Sequence, residues 1–132
     1  MREIKTIVLH HSASSRDHTT REMIDSWHRA RGWHGGCGYH WVIEGSGKLR
    51  IGREPTRQGA GSPPNRGRLG ICIVGDMTRE DERWNSDQVL TLTHLLNALR
   101  VVWPGAEVVG HRDLMTPGYT ECPGIDVGEA FG

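Results

Sequence analysis

The chain has 132 residues, of which 36% are hydrophobic and 24% charged, the make-up of one globular domain with room for a core. Sixteen basic and sixteen acidic residues cancel, so no global charge draws it to nucleic acid or an anionic membrane. No apolar run has the length of a bilayer span, so membrane insertion is not expected. In chain order, Met1 to Lys5 leads straight into a strand and lacks the apolar core of a signal peptide, which predicts synthesis in a cytoplasm. Ile4 to Leu9 is a near-continuous apolar run, the pattern of a strand buried on both faces. Ser12 to His18 is polar and loop-like. Thr19 then opens a helix, with Thr19 and Glu22 spaced as a capping box and Met23, Ile24, Trp27 and Ala30 as its apolar stripe. Gly32 suits its C-terminal end.

A glycine-rich loop from Trp33 to Gly38 precedes Tyr39-His40-Trp41-Val42-Ile43, a strand by its aromatic and β-branched content. Glu44 to Gly47 reads as a turn, and Lys48 to Ile51 as the returning strand of a hairpin. Arg53 to Arg68 is a surface loop rather than a domain linker. Leu69 to Val74 is the most apolar stretch and the expected central strand. After a charged loop, Asn85 and Ser86 compete to cap a second helix. Its stripe is Val89, Leu92, Leu96, Leu99 and Trp103, widened by Leu95 and Val102. Pro104-Gly105 ends it, Glu107-Val108-Val109 is a last strand, and Asp126 to Phe131 adds a helical turn. Strand, helix, two strands, strand, helix, strand implies an α/β (α+β) domain with one mixed central sheet flanked by helices, spanning residues 1–132 as a single unit.

The chemistry-bearing residues cluster by type, not by local spacing. Gly110-His111-Arg112-Asp113 follows the last strand, and Cys122-Pro123-Gly124 stands eleven residues after the histidine. Pro117 and Gly118 lie between, so that loop can fold back. The first strand ends in His10-His11. Two histidines and one thiolate would give zinc three protein ligands and leave a fourth position open, as in catalytic rather than structural sites. Each residue also has a plain structural reading. His10 could be a strand-end histidine, His111 a loop histidine bonded to Asp113, and Cys122 a buried thiol. His11 faces opposite to His10, because side chains alternate along a strand. Three cysteines cannot all pair, and nothing in the sequence supports a Cys37–Cys72 bridge; Cys72 reads as a small buried hydrophobe and Cys37 has no assignable task.

Four blocks resemble one family. They are Ile7 to Ala13, Gly38 to Ile43, Leu69 to Asp76, and Gly110 to Asp113 with Thr120 to Gly124. In this order they are similar to the N-acetylmuramoyl-L-alanine amidases and peptidoglycan recognition proteins, with the small phage endolysins nearest in size. The resemblance implies a mixed sheet with zinc in an open groove. It also implies zinc-dependent hydrolysis of the amide joining N-acetylmuramic acid to L-alanine in peptidoglycan, hence bacteriolysis. Carried over by position, it makes His10, His111 and Cys122 the zinc ligands. Tyr39 becomes a catalytic group near the attacking water, and Thr120 a neutral hydrogen-bond donor where other members carry lysine. The loop histidine that many members hold before the central strand is absent from Gly59-Ala60-Gly61-Ser62. The partner implied is bacterial peptidoglycan, met by a monomer that acts on the wall after release from the cytoplasm. Two rival readings stay open: a peptidoglycan-binding module without catalysis, and an unrelated fold with a structural zinc. Of the other histidines, His28 beside a core-facing Trp27 is read as solvated, His34 as near the groove, and His94 as off the helix stripe. Trp33 could stack on a saccharide, and Arg53 could meet a substrate carboxylate.

Overall fold

The computed structural model describes residues 3–33, 35–60 and 65–132. The reading of His34, and the Gly61 and Ser62 part of the loop, lie outside the described residues. Five strands form one sheet in the order β3-β2-β4-β1-β5. They are β1 (Thr6–His11), β2 (Trp41–Ile43), β3 (Leu49–Ile51), β4 (Arg68–Ile73) and β5 (Glu107–Gly110). β1 pairs in parallel with both β4 and β5, β2 in parallel with β4, and only the β2–β3 hairpin is antiparallel. The mixed sheet expected from the element order is therefore present. The near-continuous apolar character of β1 and β4 follows from their central places, covered on both faces.

The two faces carry different layers. On one, Ile7, Leu9, Ile43, Leu69, Ile71 and Ile73 pack against Leu92, Leu95, Leu96 and Leu99 of α2 (Ser86–Val102) and Val127 of α3 (Val127–Phe131). On the other, Val42, Cys72 and Val74 pack against Ile24 of α1 (Arg21–Ala30) and Cys37. His10 pairs in register with Cys72 of the neighbouring strand, and alternation puts it on the α1 face. His11 turns the other way, where its Nδ1 accepts the Met77 N–H at 3.1 Å.

Helix ends depart from the sequence reading in one place. Thr20, not Thr19, caps α1, accepting the Met23 N–H at 3.2 Å. Thr19 is buried instead and donates to Ser14 Oγ at 2.8 Å. The two threonines are chemically alike, and the loop's return across Ser14 decides between them. Between Asn85 and Ser86 it is Asn85 that caps α2, in a reciprocal capping box with Gln88. Gly32 takes φ +86° just past α1, as a left-handed helix stop requires.

The stripes shift too. On α1, Trp27 is 40% exposed while His28 is 5% exposed, the reverse of the expected pattern. One helical position is about 100° of rotation, and the inner face runs Ile24–His28, an i,i+4 pair. His28 tolerates burial because Nδ1 accepts the Gly38 N–H at 2.8 Å. On α2, Val102 is 49% exposed and Gln88 is fully buried. His94 lies off the stripe and is exposed, as expected. All three cysteines are free, with Cys37 and Cys72 buried, so there is no Cys37–Cys72 bridge.

Candidate active site and metal centre

The parallel pairing of β1 with β5 sets Leu9 opposite Gly110. The next residues, His10 within β1 and His111 just past β5, bring their rings side by side, with centroids 4.7 Å apart. His111 opens a short 3-10 turn, His111–Leu114. Asp113 closes that turn by accepting the Gly110 N–H at 2.8 Å. The Asp113 carboxylate thus serves as a backbone cap for the turn that carries His111. The following loop does fold back: Arg112 N–H donates to Cys122 O at 2.7 Å. Cys122 Sγ reaches 3.8 Å from His10 Nδ1.

Among the described residues, one group of three potential ligands converges, and it is His10, His111 and Cys122, with donor atoms within 4.8 Å of one another. Burial, then the neighbouring His111, His11 and His28, drives the His10 pKa well down; burial also lowers His111, with Arg68 adding to it. Both rings are therefore neutral at pH 7 and keep a lone pair to offer. Burial pushes the Cys122 thiol up to about 11. His10 is 1% exposed, and its Nε2 has no hydrogen-bond partner among the described residues. That nitrogen lies on the Gly70 side, 3.9 Å from where a Cβ on Gly70 would sit, so Nδ1 is the nitrogen turned toward Cys122 Sγ. Zinc bonds of about 2.0–2.3 Å in a tetrahedron separate ligand atoms by roughly 3.4–3.7 Å. The His10 to Cys122 separation is close to that, so the donor set fits such an ion.

Tyr39 lies against this cluster, its ring centroid 4.8 Å from His10. Burial, reinforced by the thiols of Cys72, Cys122 and Cys37, raises its pKa well above the ordinary value, so the phenol keeps its proton. Gly70 forms the floor beneath it: a Cβ there would sit 3.5 Å from Tyr39 Cδ1. Thr120 stays beside the returning loop, its Oγ1 accepting the Cys122 N–H at 3.1 Å, which leaves the hydroxyl hydrogen free to donate. A pocket of about 70 Å³ opens next to Tyr39, lined by Ser12, Ile24, Trp27, His28, Arg31 and Tyr39.

Other expectations resolve plainly. Trp33 packs at a tilt against His28, with ring centroids 4.5 Å apart. Arg53 is engaged by the backbone, donating to Cys37 O at 3.1 Å and Gln58 O at 2.6 Å. His40 is fully buried, with Nε2 2.7 Å from Arg57 O and Nδ1 accepting the Gly70 N–H at 3.0 Å. The residue that sequence reasoning missed is His28. Its buried side follows from the Ile24–His28 spacing, but its partner is a backbone amide that no motif announces.

Strand ends that gather two neutral imidazoles, a thiol and a protonated phenol make a site for hydrolytic chemistry. The chain belongs to the N-acetylmuramoyl-L-alanine amidase family, whose model matches residues 1–125, and it is an amide hydrolase of that kind. An endolysin of Klebsiella phage KP32 is 30% identical over 131 residues, covering 95% of this chain and 83% of that protein. The N-acetylmuramoyl-L-alanine amidase LysC from Clostridium intestinale superposes with a TM-score of 0.82 at 29% identity, over 95% of this chain and 79% of that one. Peptidoglycan-recognition protein SD of Drosophila simulans is 34% identical over 88 residues, 61% of this chain and 46% of that protein. The α+β architecture described above is thus that of the family.

Proposed function

We propose that this chain is a zinc-dependent peptidoglycan amidase. It cleaves the bond between N-acetylmuramic acid and L-alanine, with His10, His111 and Cys122 holding the ion. Residues 1–132 act as one catalytic domain, monomeric, reaching the bacterial wall after release. The observation that carries the reading is the convergence of those three donors beside Tyr39. A second support is the phage endolysin that the chain matches over nearly its whole length. Among the described residues no helix is long and apolar enough to cross a membrane.

When bound, zinc supplies a Lewis acid and lowers the pKa of water. The protein's own groups do the rest. His10 is fixed by β1 and His111 by β5, so the two neutral rings are aimed before any substrate arrives. Tyr39, protonated, donates a hydrogen bond to the oxygen that gains charge as the amide carbon becomes tetrahedral. Thr120 offers a second, neutral donor from the Cys122 loop. A charged donor would be roughly twice as strong, so Thr120 contributes less than a lysine in its place would.

The test is paired. Zinc content and release of free stem peptide from purified peptidoglycan are measured for wild type and Cys122→Ser. Bound zinc with peptide release, both lost in the variant, supports the proposal. Zinc without release points to a recognition module. No zinc in reduced, metal-supplemented wild type refutes the ligand set.

A further inference from the structure

We infer that His28 is a positioning residue for catalysis, setting Tyr39 through the backbone amide of Gly38. The inference rests on the role proposed above for Tyr39. An imidazole buried on an otherwise apolar helix face is destabilising unless its nitrogens are used. Here Nδ1 accepts the Gly38 N–H at 2.8 Å, one residue ahead of Tyr39. Asp25, three positions earlier on α1, accepts the preceding amide, Cys37 N–H, at 2.8 Å. α1 therefore grips two consecutive amides of the chain that leads into Tyr39. The carbonyls of the same residues are held from the other side, by Arg53 Nε on Cys37 O at 3.1 Å and by Ala60 N–H on Gly38 O at 3.1 Å. Immediately after Tyr39, His40 N–H donates to Gly70 O at 2.9 Å and returns the chain to the sheet.

His28 differs from the other anchors in also touching the side chain it positions. Its ring centroid is 5.3 Å from Tyr39 and 4.5 Å from Trp33, while Tyr39 is 4.8 Å from His10. Four rings thus run from the loop after α1 to a candidate ligand. The backbone bond fixes where Tyr39 emerges, and the ring contact restricts how it turns. Burial, with Arg31 and Arg53 nearby, keeps His28 neutral at physiological pH, so Nδ1 is an acceptor and Nε2 carries the proton.

Two substitutions separate the nitrogens. His28→Asn places an amide oxygen near the position of Nδ1, and His28→Gln reaches instead to that of Nε2. Both are compared with wild type in the zinc-loaded full chain, alone and in a Tyr39→Phe background, with kcat, KM and melting temperature recorded. The expected result is a kcat near wild type for His28→Asn and a fall of about 10- to 100-fold for His28→Gln, at little-changed KM. In Tyr39→Phe, His28→Gln should lower kcat no further, because its effect passes through the phenol. Should His28→Gln fail to fold, His28→Asn decides by itself: a folded but slow enzyme overturns the inference. A retained rate in His28→Gln with a loss in His28→Asn would make Nε2 the working atom, and would overturn it as well. Additive losses beside a crippled Tyr39→Phe sink this inference alone, whereas a Tyr39→Phe enzyme at the wild-type rate sinks the role of Tyr39 together with it.

Discussion

Gln88 offers a stringent test of how α2 is fastened to the sheet. The side chain is fully buried. Its Oε1 accepts the Asn85 N–H at 3.0 Å, while Nε2 donates to Val74 O at 2.7 Å and to Ile43 O at 3.4 Å. The Ile43 carbonyl already receives the Val74 N–H at 2.9 Å, so the Val74 carbonyl depends most on Gln88. Gln88→Glu keeps the shape and the bond from Asn85, but turns a donor into an acceptor facing an acceptor. The buried carboxyl escapes by taking up a proton, which restores a donor toward Val74. Holding a proton at about pH 7 on a group of ordinary pKa about 4.3 costs about 3.7 kcal/mol, and this bounds the penalty. The folded-state pKa of the new carboxyl is raised above the unfolded value, so the folded variant binds more protons. Its deficit grows as pH rises and vanishes toward about pH 4. Urea denaturation of variant and wild type, each pair at one pH, removes acid effects common to both. The expected gap is about 2–4 kcal/mol near pH 7 and under about 1 kcal/mol near pH 4. A gap of equal size at both pH values would show that the side chain leaves its pocket, and would refute the fastening described here.

Two further outcomes follow from the same reasoning. His28 is held at a pKa of about 4 against an ordinary 6.5, so the unfolded chain binds the extra proton between those values. Its contribution is present above the unfolded pKa and is lost as pH falls toward the folded one. Relative to His28→Asn, wild type should lose about 2 kcal/mol between about pH 7 and about pH 5, read by denaturant titration. Gly52 and Gly32 make a contrasted pair. A Cβ at Gly52 would collide with the Tyr39 carbonyl and lie 2.7 Å from Cys37 Sγ, whereas at Gly32 it meets nothing within 4 Å but sits at φ +86°. Gly32→Ala should lower stability by about 1 kcal/mol at unchanged kcat, and Gly52→Ala should lower kcat as well, measured on peptidoglycan fragments.

Much of the fold was legible because its signals are local. The apolar run of β1, the hairpin turn at Glu44 to Gly47, the α2 periodicity and the left-handed Gly32 all depend on neighbours in sequence. The placement of His10 and His111 at strand ends was readable for the same reason. Their convergence with Cys122 was readable only through the family resemblance, since it requires β1 to lie beside β5 and no periodicity encodes strand order. The misreadings share a cause. Trp27 was assigned inward on hydrophobicity, yet the inner face is set by where His28 and Gln88 find carbonyls and amides on distant segments. A buried polar side chain satisfied by remote backbone looks, in sequence, like a solvated one. Thr19 and Thr20 differ only in which loop atoms happen to be near.

The position of β1 in the middle of the sheet has a consequence for the order in which the molecule comes into being. β1 is flanked by β4 and β5, which follow it in the chain by tens of residues. Its backbone groups therefore wait unpaired through most of elongation, and the pairings that rescue them close long loops, which is slow. The three candidate ligands are spread from position 10 to position 122. A partly made or prematurely ended chain carries no assembled site, whatever else it has folded. Activity of this kind requires the chain through Cys122, because strand order rather than local sequence assembles the site.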